Sequence, residues 1–323
     1  MITQAADDVY VIPIDLPKSP LKLLNAYFVR NRDGRELLVD TGFNTPRCLA
    51  ALTEGLRELE ADYSRLDVFI THMHADHSGN AAALQGMGCR LIMGETDHDI
   101  LELRSRDVKG LRAASEGMAD GDITETLLNN SAIRHVSAHF DAEPARPGDS
   151  LHYGRYSLKC VPTPGHTPGH MCLYDEERSF AFLGDHVLFD ITPNISYWPG
   201  VDDPLNDYLD SLEAVKKLDI GTALPAHRGR GDKTANERID ELIAHHHSRL
   251  DELETLIRRE GGLTAYELAG RLSWHIRAKD WASFPPAQKW FAFGETVAHL
   301  DYLRIRGRIY REPSGQRFVY LAD

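Results

Sequence analysis

The sequence contains no apolar run approaching the ~20 residues that a membrane-spanning helix needs. Its first eight residues, Met1 to Asp8, lack the basic flank and apolar stretch of a signal peptide. Cysteine is scarce. Cys48, Cys89, Cys160 and Cys172 are scattered without the paired spacing of a thiolate metal site, and so few in 323 residues do not make a disulfide framework. Buried reduced thiols and a cytoplasmic protein are the expectation. Basic charge is also short: 36 Lys and Arg face 49 Asp and Glu, a formal net charge of −13. A surface of that sign does not invite nucleic acid or anionic lipid. From Glu237 to the end, 13 basic and 13 acidic residues balance, so the whole acidic excess lies earlier in the chain. Part of it belongs to carboxylates that a bound cation would neutralise.

What is present is an ordinary soluble composition, 42% hydrophobic and 26% charged, enough for one large domain or for one with a small appendage. One stretch stands out. Thr71-His72-Met73-His74-Ala75-Asp76-His77 follows the apolar run Leu66–Ile70, which reads as a buried strand entering a turn. Three imidazoles and a carboxylate so close together make a poor core. They make a good nest for metal. Alternation sends His72 and His74 the same way, and the following turn swings Asp76 and His77 to a second point. Imidazole nitrogen and carboxylate oxygen suit zinc, iron or manganese, and four ligands in so short a space suggest two neighbouring ions.

Taken in order, 9–16 and 23–30 read as paired strands, with a hairpin at Asn31–Gly34 and a further strand at 36–39 that ends in Asp40-Thr41-Gly42. Thr45-Pro46 opens a helix to Leu59. A short helix at 80–84 and a strand at 90–93 follow the metal stretch. Residues 95–130 read as a polar helical insertion that covers the site from one side, or as a helix pair packed on a sheet. Strands are expected at 151–161, 171–183 and 220–224, and a helix at 204–218. This order predicts two sheets face to face with helices outside, an αββα sandwich over 1–234. Residues 235–323 predict a small C-terminal module of helices and a hairpin, winged-helix-like in order. Its long first helix carries His245-His246-His247, read as surface. Arg304, Arg306, Arg308, Arg311 and Arg317 form a local basic stripe. Packing, dimerisation or closure of a substrate pocket is expected of the module ahead of nucleic-acid binding.

Three later signals return to the metal chemistry. Pro162 to His170 is a Pro/Gly-fixed loop with imidazoles at 166 and 170. Gly184-Asp185-His186 ends a strand with a carboxylate, and Pro225-Ala226-His227 ends another with a histidine. Together with His-x-His-x-Asp-His at 72–77 and Thr-Pro-Gly-His-Thr-Pro-Gly-His at 163–170, they make the sequence resemble the metallo-β-lactamase superfamily over roughly residues 9–230. Within it, the pattern is most similar to glyoxalase II and related two-metal hydrolases. The resemblance implies that His72, His74 and His166 hold one ion, that Asp76, His77 and His227 hold the second, and that Asp185 bridges them. It also implies that Asp40 orients a histidine and that His170 supports the site without being a ligand. Strand alternation points His186 away.

The expected cofactor is therefore a pair of divalent ions, zinc ahead of iron or manganese, that turns water into hydroxide. Asp76 would also accept a hydrogen bond from the nucleophile. The expected reaction is hydrolysis of a small acyl substrate (thioester, lactone or ester), with Tyr197 and Trp198 as a candidate pocket wall. The resemblance leaves an alternative in the same superfamily, a single-strand-specific endoribonuclease. A third class, a di-iron redox partner or a metal-stabilised binding module, would be favoured by a flavodoxin-like appendage, and the sequence shows none.

Overall fold

Short runs of Val, Ile, Leu and Phe between polar turns become strands, and the length of each connection decides how neighbouring strands run. The computed structural model describes residues 1–17, 19–103, 112–129, 134–274 and 278–323. The first of two compact units takes Met1–Leu103, Ser131–Pro193 and Ser211–Ile239. In it, β1 (Thr3–Ala6), β2 (Val9–Asp15), β3 (Leu23–Val29) and β4 (Glu36–Val39) are antiparallel neighbours. β5 (Leu66–Ile70), β6 (Arg90–Gly94) and β7 (Glu143–Ala145) continue the same sheet in parallel. The change of direction follows from the connections. A tight turn joins β3 to β4, whereas helix α1 (Pro46–Glu58) crosses from β4 to β5, and α2 (Ala75–Ser78) with α3 (Ala81–Gly86) cross from β5 to β6.

The second sheet has the order β12 (Thr222–Pro225), β11 (Phe180–Gly184), β10 (Met171–Asp175), β9 (Tyr156–Pro162), β8 (Ser150–Tyr153). Tyr27, Val39, Phe69 and Ile92 of the first sheet share one buried cluster with Leu158, Leu173, Phe180 and Phe182 of the second. This is the expected sandwich. α1 covers the outer face of the first sheet so closely that a Cβ on Gly55 would stand 2.5 Å from Ile12 Cγ2. The four cysteines are free and buried. In the middle of β5, the buried Asp67 is held by Arg35, Arg90 and Tyr153 Oη, so a charged residue stays inside an otherwise apolar strand.

Two details depart from the sequence reading. The runs 151–161 and 171–183 are each a hairpin, turned at Gly154 (φ +58°) and at Ser179 (φ +50°), rather than one strand. The polar stretch 95–130 is divided. Helix α4 (Glu95–Leu103) belongs to the first unit and α5 (Asp120–Asn129) to the second, while 104–111 and 130 lie outside the described residues.

The second unit comprises Arg104–Asn130, Asn194–Asp210 and Asp240–Asp323. Helix α6 (Pro204–Val215) begins in it, and most of α7 (Ala235–Arg259) lies in it. α8 (Ala265–Ala269) starts from a capping box between Thr264 and Glu267. α9 (Pro286–Ile305) is buried along most of its length, and β13 (Tyr310–Ser314) pairs with β14 (Arg317–Leu321). Leu263 bridges to Tyr320 at the edge of that hairpin. The histidine run is not all surface, as read from sequence. The face that buries Leu242, Leu250 and Leu253 also takes His246 inside, where its Nδ1 meets His299 Nε2 at 3.1 Å. His299 Nδ1 donates to Glu295 O at 2.7 Å, which makes its Nε2 the acceptor.

Gly55→Ala is expected to cost about 1–3 kcal/mol in thermal or urea denaturation, because overpacking against Ile12 outweighs the better helix propensity. Pairing it with Ile12→Ala should recover part of the loss. The buried His246–His299 pair gives a pH signature. Burial, reinforced at His246 by the neighbouring imidazole, holds both folded pKa values low, that of His299 to about 3. Below the ordinary imidazole pKa, about 6.5, the unfolded chain therefore takes up protons that the folded chain refuses. Stability should fall as pH drops from about 6.5 towards 4, and a His246→Leu/His299→Leu variant should show a shallower fall in urea titrations.

Candidate metal centre

Each candidate ligand sits where a strand of the first unit stops. β4 runs into Asp40, β5 into 71–77, β9 into the 163–170 loop, β11 into Asp185 and β12 into His227. The backbone is forced there: Asp40 (φ +64°), Gly184 (φ +51°) and Arg228 (φ +59°) are left-handed. Such conformations cost on the order of 1–3 kcal/mol in residues other than glycine and persist where surrounding contacts over-determine them. At Gly184 the absence of a side chain is required, since a Cβ would lie 2.5 Å from His170 Nε2.

The ligand atoms converge in three overlapping groups: His72, His74 and His166; Asp76, His77 and His227; and His72, His77 and Asp185. Within each group the atoms lie within 4.8 Å of one another. His74 Nδ1 is 3.0 Å from His72 Nε2 and 2.9 Å from His166 Nε2. One proton can bridge only one of those contacts. Nitrogens about 2.0–2.1 Å from a shared tetrahedral ion stand about 3.3 Å apart, so the cluster is close to ligand spacing. Asp185 faces both ways. Its Oδ2 is 3.6 Å from His166 Nε2, and its Oδ1 is 3.3 Å from His227 Nε2 and 3.6 Å from His77 Nε2. Asp76 Oδ2 lies 3.4 Å from His227 Nε2 and 3.9 Å from His77 Nε2.

The donor set fits a cation. His77 Nε2, His227 Nε2 and Asp185 Oδ1 are buried and have no hydrogen-bond partner among the described residues. The carboxylates of Asp40, Asp76 and Asp185 are buried together, and among the described residues no Lys or Arg pairs with them. Burial, reinforced by neighbouring imidazoles, holds His72 and His74 well below the usual imidazole range and therefore neutral. Burial opposes charge on His77 and His227 as well, but the surrounding carboxylates outweigh it and raise both. Burial likewise opposes ionisation of Asp76, yet His77 and His227 hold it down to about 2. A divalent ion requires neutral nitrogens, which His72 and His74 already offer, and it would take the place of the protons that the carboxylates draw to His77 and His227.

Tautomers are set from behind. Asp40 Oδ2 meets His77 Nδ1 at 2.8 Å, and its Oδ1 accepts from Thr71 N at 2.9 Å and from Thr71 Oγ1 at 3.0 Å. With its proton committed to Asp40, Thr71 Oγ1 accepts from His72 Nδ1 at 3.1 Å, which leaves His72 Nε2 as a lone pair. His227 Nδ1 donates to Leu23 O at 2.7 Å, which turns its Nε2 towards Asp76 and Asp185. His170 Nε2 accepts from Asp185 N at 3.1 Å while its Nδ1 donates to Thr163 Oγ1 at 2.7 Å, so this ring steadies the Asp185 turn from outside the ligand groups. His186 is buried beside His170, with ring centres 6.1 Å apart, and belongs to none of the three groups. Tyr197 and Trp198 are packed inside the second unit, where Tyr197 meets Phe293 edge-on and carries the Arg112 guanidinium at 4.9 Å.

Asp97, in the first turn of α4, escaped the sequence reading. Wholly buried, it accepts from Met73 N at 2.9 Å, Thr167 Oγ1 at 2.6 Å and Gly169 N at 2.6 Å. One carboxylate thus ties the 72–77 turn to the 163–170 loop, and burial raises its pKa to about 6 despite those bonds. Nothing in Glu95-Thr96-Asp97-His98 marks the middle acid; only the fold brings the two loops to it.

Residues 23–227 match the family model described as the metallo-beta-lactamase superfamily. The chain is similar in structure to a metallo-beta-lactamase family protein of Thermus thermophilus, with 29% identity, a TM-score of 0.82 and coverage of 98% of this chain and 99% of that one. It is 25% identical to the lactamase-like protein aptB of Emericella nidulans over 77% of this chain and 68% of that protein. It is also 25% identical to an atrochrysone carboxyl ACP thioesterase of Aspergillus terreus, over 65% of this chain and 51% of that protein.

Asp97→Asn is expected to lower metal affinity by about 10–100-fold while leaving the fold intact, because an amide cannot accept on both sides. Metal content after dialysis against a competing chelator, alongside circular dichroism, checks it; unchanged retention would remove Asp97 from the site.

Proposed function

This chain belongs to the metallo-β-lactamase superfamily, and from that premise we propose that it is a metal-dependent hydrolase of small acyl substrates, thioesters foremost. The observation that carries the reading is Asp185, whose two oxygens face the two histidine groups separately. His72, His74 and His166 would hold one divalent ion and Asp76, His77 and His227 a second, with Asp185 between them and zinc the expected metal. When bound, the pair supplies Lewis acidity that makes water a nucleophile at neutral pH and offsets charge on the attacked oxygen.

The protein's own part is positional. Asp40 and Thr71 fix which nitrogens of His77 and His72 face inward, and the Leu23 carbonyl does the same for His227. Asp76, held ionised, accepts a hydrogen bond from the attacking water and aims its lone pair. A carboxylate with a pKa near 2 orients that proton rather than keeping it. The acyl class is supported by the acidic balance of the chain and by the thioesterase among the relatives. We further read 235–323 as a winged-helix-like appendage to a catalytic domain at 1–234, a reading supported by its helices and hairpin.

Chelation should abolish hydrolysis of an acyl thioester and zinc should restore it. Asp76→Ala should lower metal content and cut turnover by more than about 100-fold together. A panel of thioesters, lactones and a short single-stranded RNA decides the class. Cleavage of the RNA alone, steeply salt-dependent, would replace the acyl reading with a nuclease.

A further inference from the structure

The second unit holds a cavity of about 510 Å³ with none of the metal-centre residues in its walls. Three arginines from separate parts of the chain meet there: Arg112, Arg304 at the end of α9, and Arg311 in β13. Two buried carboxylates hold them. Arg112 Nη2 bonds Asp301 Oδ2, Arg311 Nη1 donates to Glu116 Oε1 at 3.2 Å, and Arg304 Nη2 lies 3.5 Å from Asp301 Oδ1. The other oxygen of Glu116 is taken by Tyr320 Oη at 2.8 Å. Ring stacking fixes two of the guanidinium planes, Arg311 over Phe318 at 4.3 Å and Arg112 over Tyr197 at 4.9 Å.

These contacts do not exhaust the donors. Each guanidinium carries five N–H groups in a rigid fork, and the two carboxylates engage few of them. Arg304 Nε is buried with no hydrogen-bond partner among the described residues, and Asp301 Oδ1 is buried without one as well. Three half-exposed guanidiniums line the cavity, backed by the buried Glu116 and Asp301, and a third acid of the lining, Asp202, is exposed to water. A network serving packing alone would close on itself. This one is held open around space, with three guanidinium forks fixed in place and Arg304 Nε left without a partner, which is the arrangement that recognises a tetrahedral oxyanion. Phe318 and Val201 add apolar wall beside it, suited to the organic part of a small ligand.

We propose that this cavity binds a small organic phosphate through Arg304, Arg311 and Arg112. Arginine-directed labelling of the full metal-loaded chain with phenylglyoxal, read by peptide mass spectrometry, tests it. Arg306, paired with Asp203 and Asn206 and absent from the cavity wall, serves as internal control. Millimolar phenyl phosphate or pyrophosphate should slow labelling of Arg304 and Arg311 severalfold and leave Arg306 unchanged. In Arg304→Gln, the phosphate concentration needed to protect Arg311 should rise about tenfold, the loss of one charge-assisted hydrogen bond. Equal labelling with and without phosphate overturns the site, as does the same protection by sodium chloride at matched ionic strength or undiminished protection in Arg304→Gln. Protection by pyrophosphate but not by phenyl phosphate overturns the organic ligand.

Discussion

The candidate centre depends on one carboxylate that touches no ligand pocket directly. Asp40 stands in a left-handed conformation at the end of β4 and turns its oxygens on Thr71 and His77 together. Without that grip, the proton on His77 would be free to sit on either nitrogen, and the 71–77 turn would lose its anchor to the neighbouring strand. The adjoining residues extend the hold. Thr41 N and Oγ1 both donate to His77 O, Gly42 N donates to Asp76 O at 3.0 Å, and Asn80 returns to Thr41. Ligand orientation is thus a property of two turns locked to one another, and strain at Asp40 is held in place by bonds on every side.

Buried charge follows the same logic. Three acids and a ring of imidazoles buried together at the strand ends are strongly unfavourable wherever they lack a partner. Here several ligand atoms have none among the described residues, while the rear nitrogens of His72, His77 and His227 are committed to Thr71, Asp40 and the Leu23 carbonyl. The contrast between rear nitrogens held by the protein and inward atoms left open is what a cluster that could hold a cation requires. Elsewhere in the first unit, a buried acid such as Asp67 is fully paired by Arg35, Arg90 and Tyr153.

Much of this was legible in the chain itself. Strand ends carrying His or Asp after apolar runs are local signals, and the structure brings His72, His74, Asp76, His77, His166, Asp185 and His227 into overlapping groups. β5 and α1 could be drawn from periodicity and punctuation with small errors at the ends. What escaped depends on distant partners. Asp97 looks like any first-turn acid, His246 like one more polar residue in a charged helix, and the edge strands β1 and β7 are too short and polar to announce themselves. The 95–130 stretch shows the same limit from the other side: helical pattern tells that helices form, and nothing in it tells which unit each helix joins.

Gly79 sets a boundary condition of a different kind. A Cβ there would stand about 2.4–2.5 Å from Ala75 O, Asn44 N and Gly42 O, so two main chains run past each other with no side chain between them. The Asp-Thr-Gly turn and the histidine turn are therefore a single cassette. Anyone transplanting this centre into another scaffold would have to carry both pieces and their spacing, since neither keeps its shape when the other is replaced.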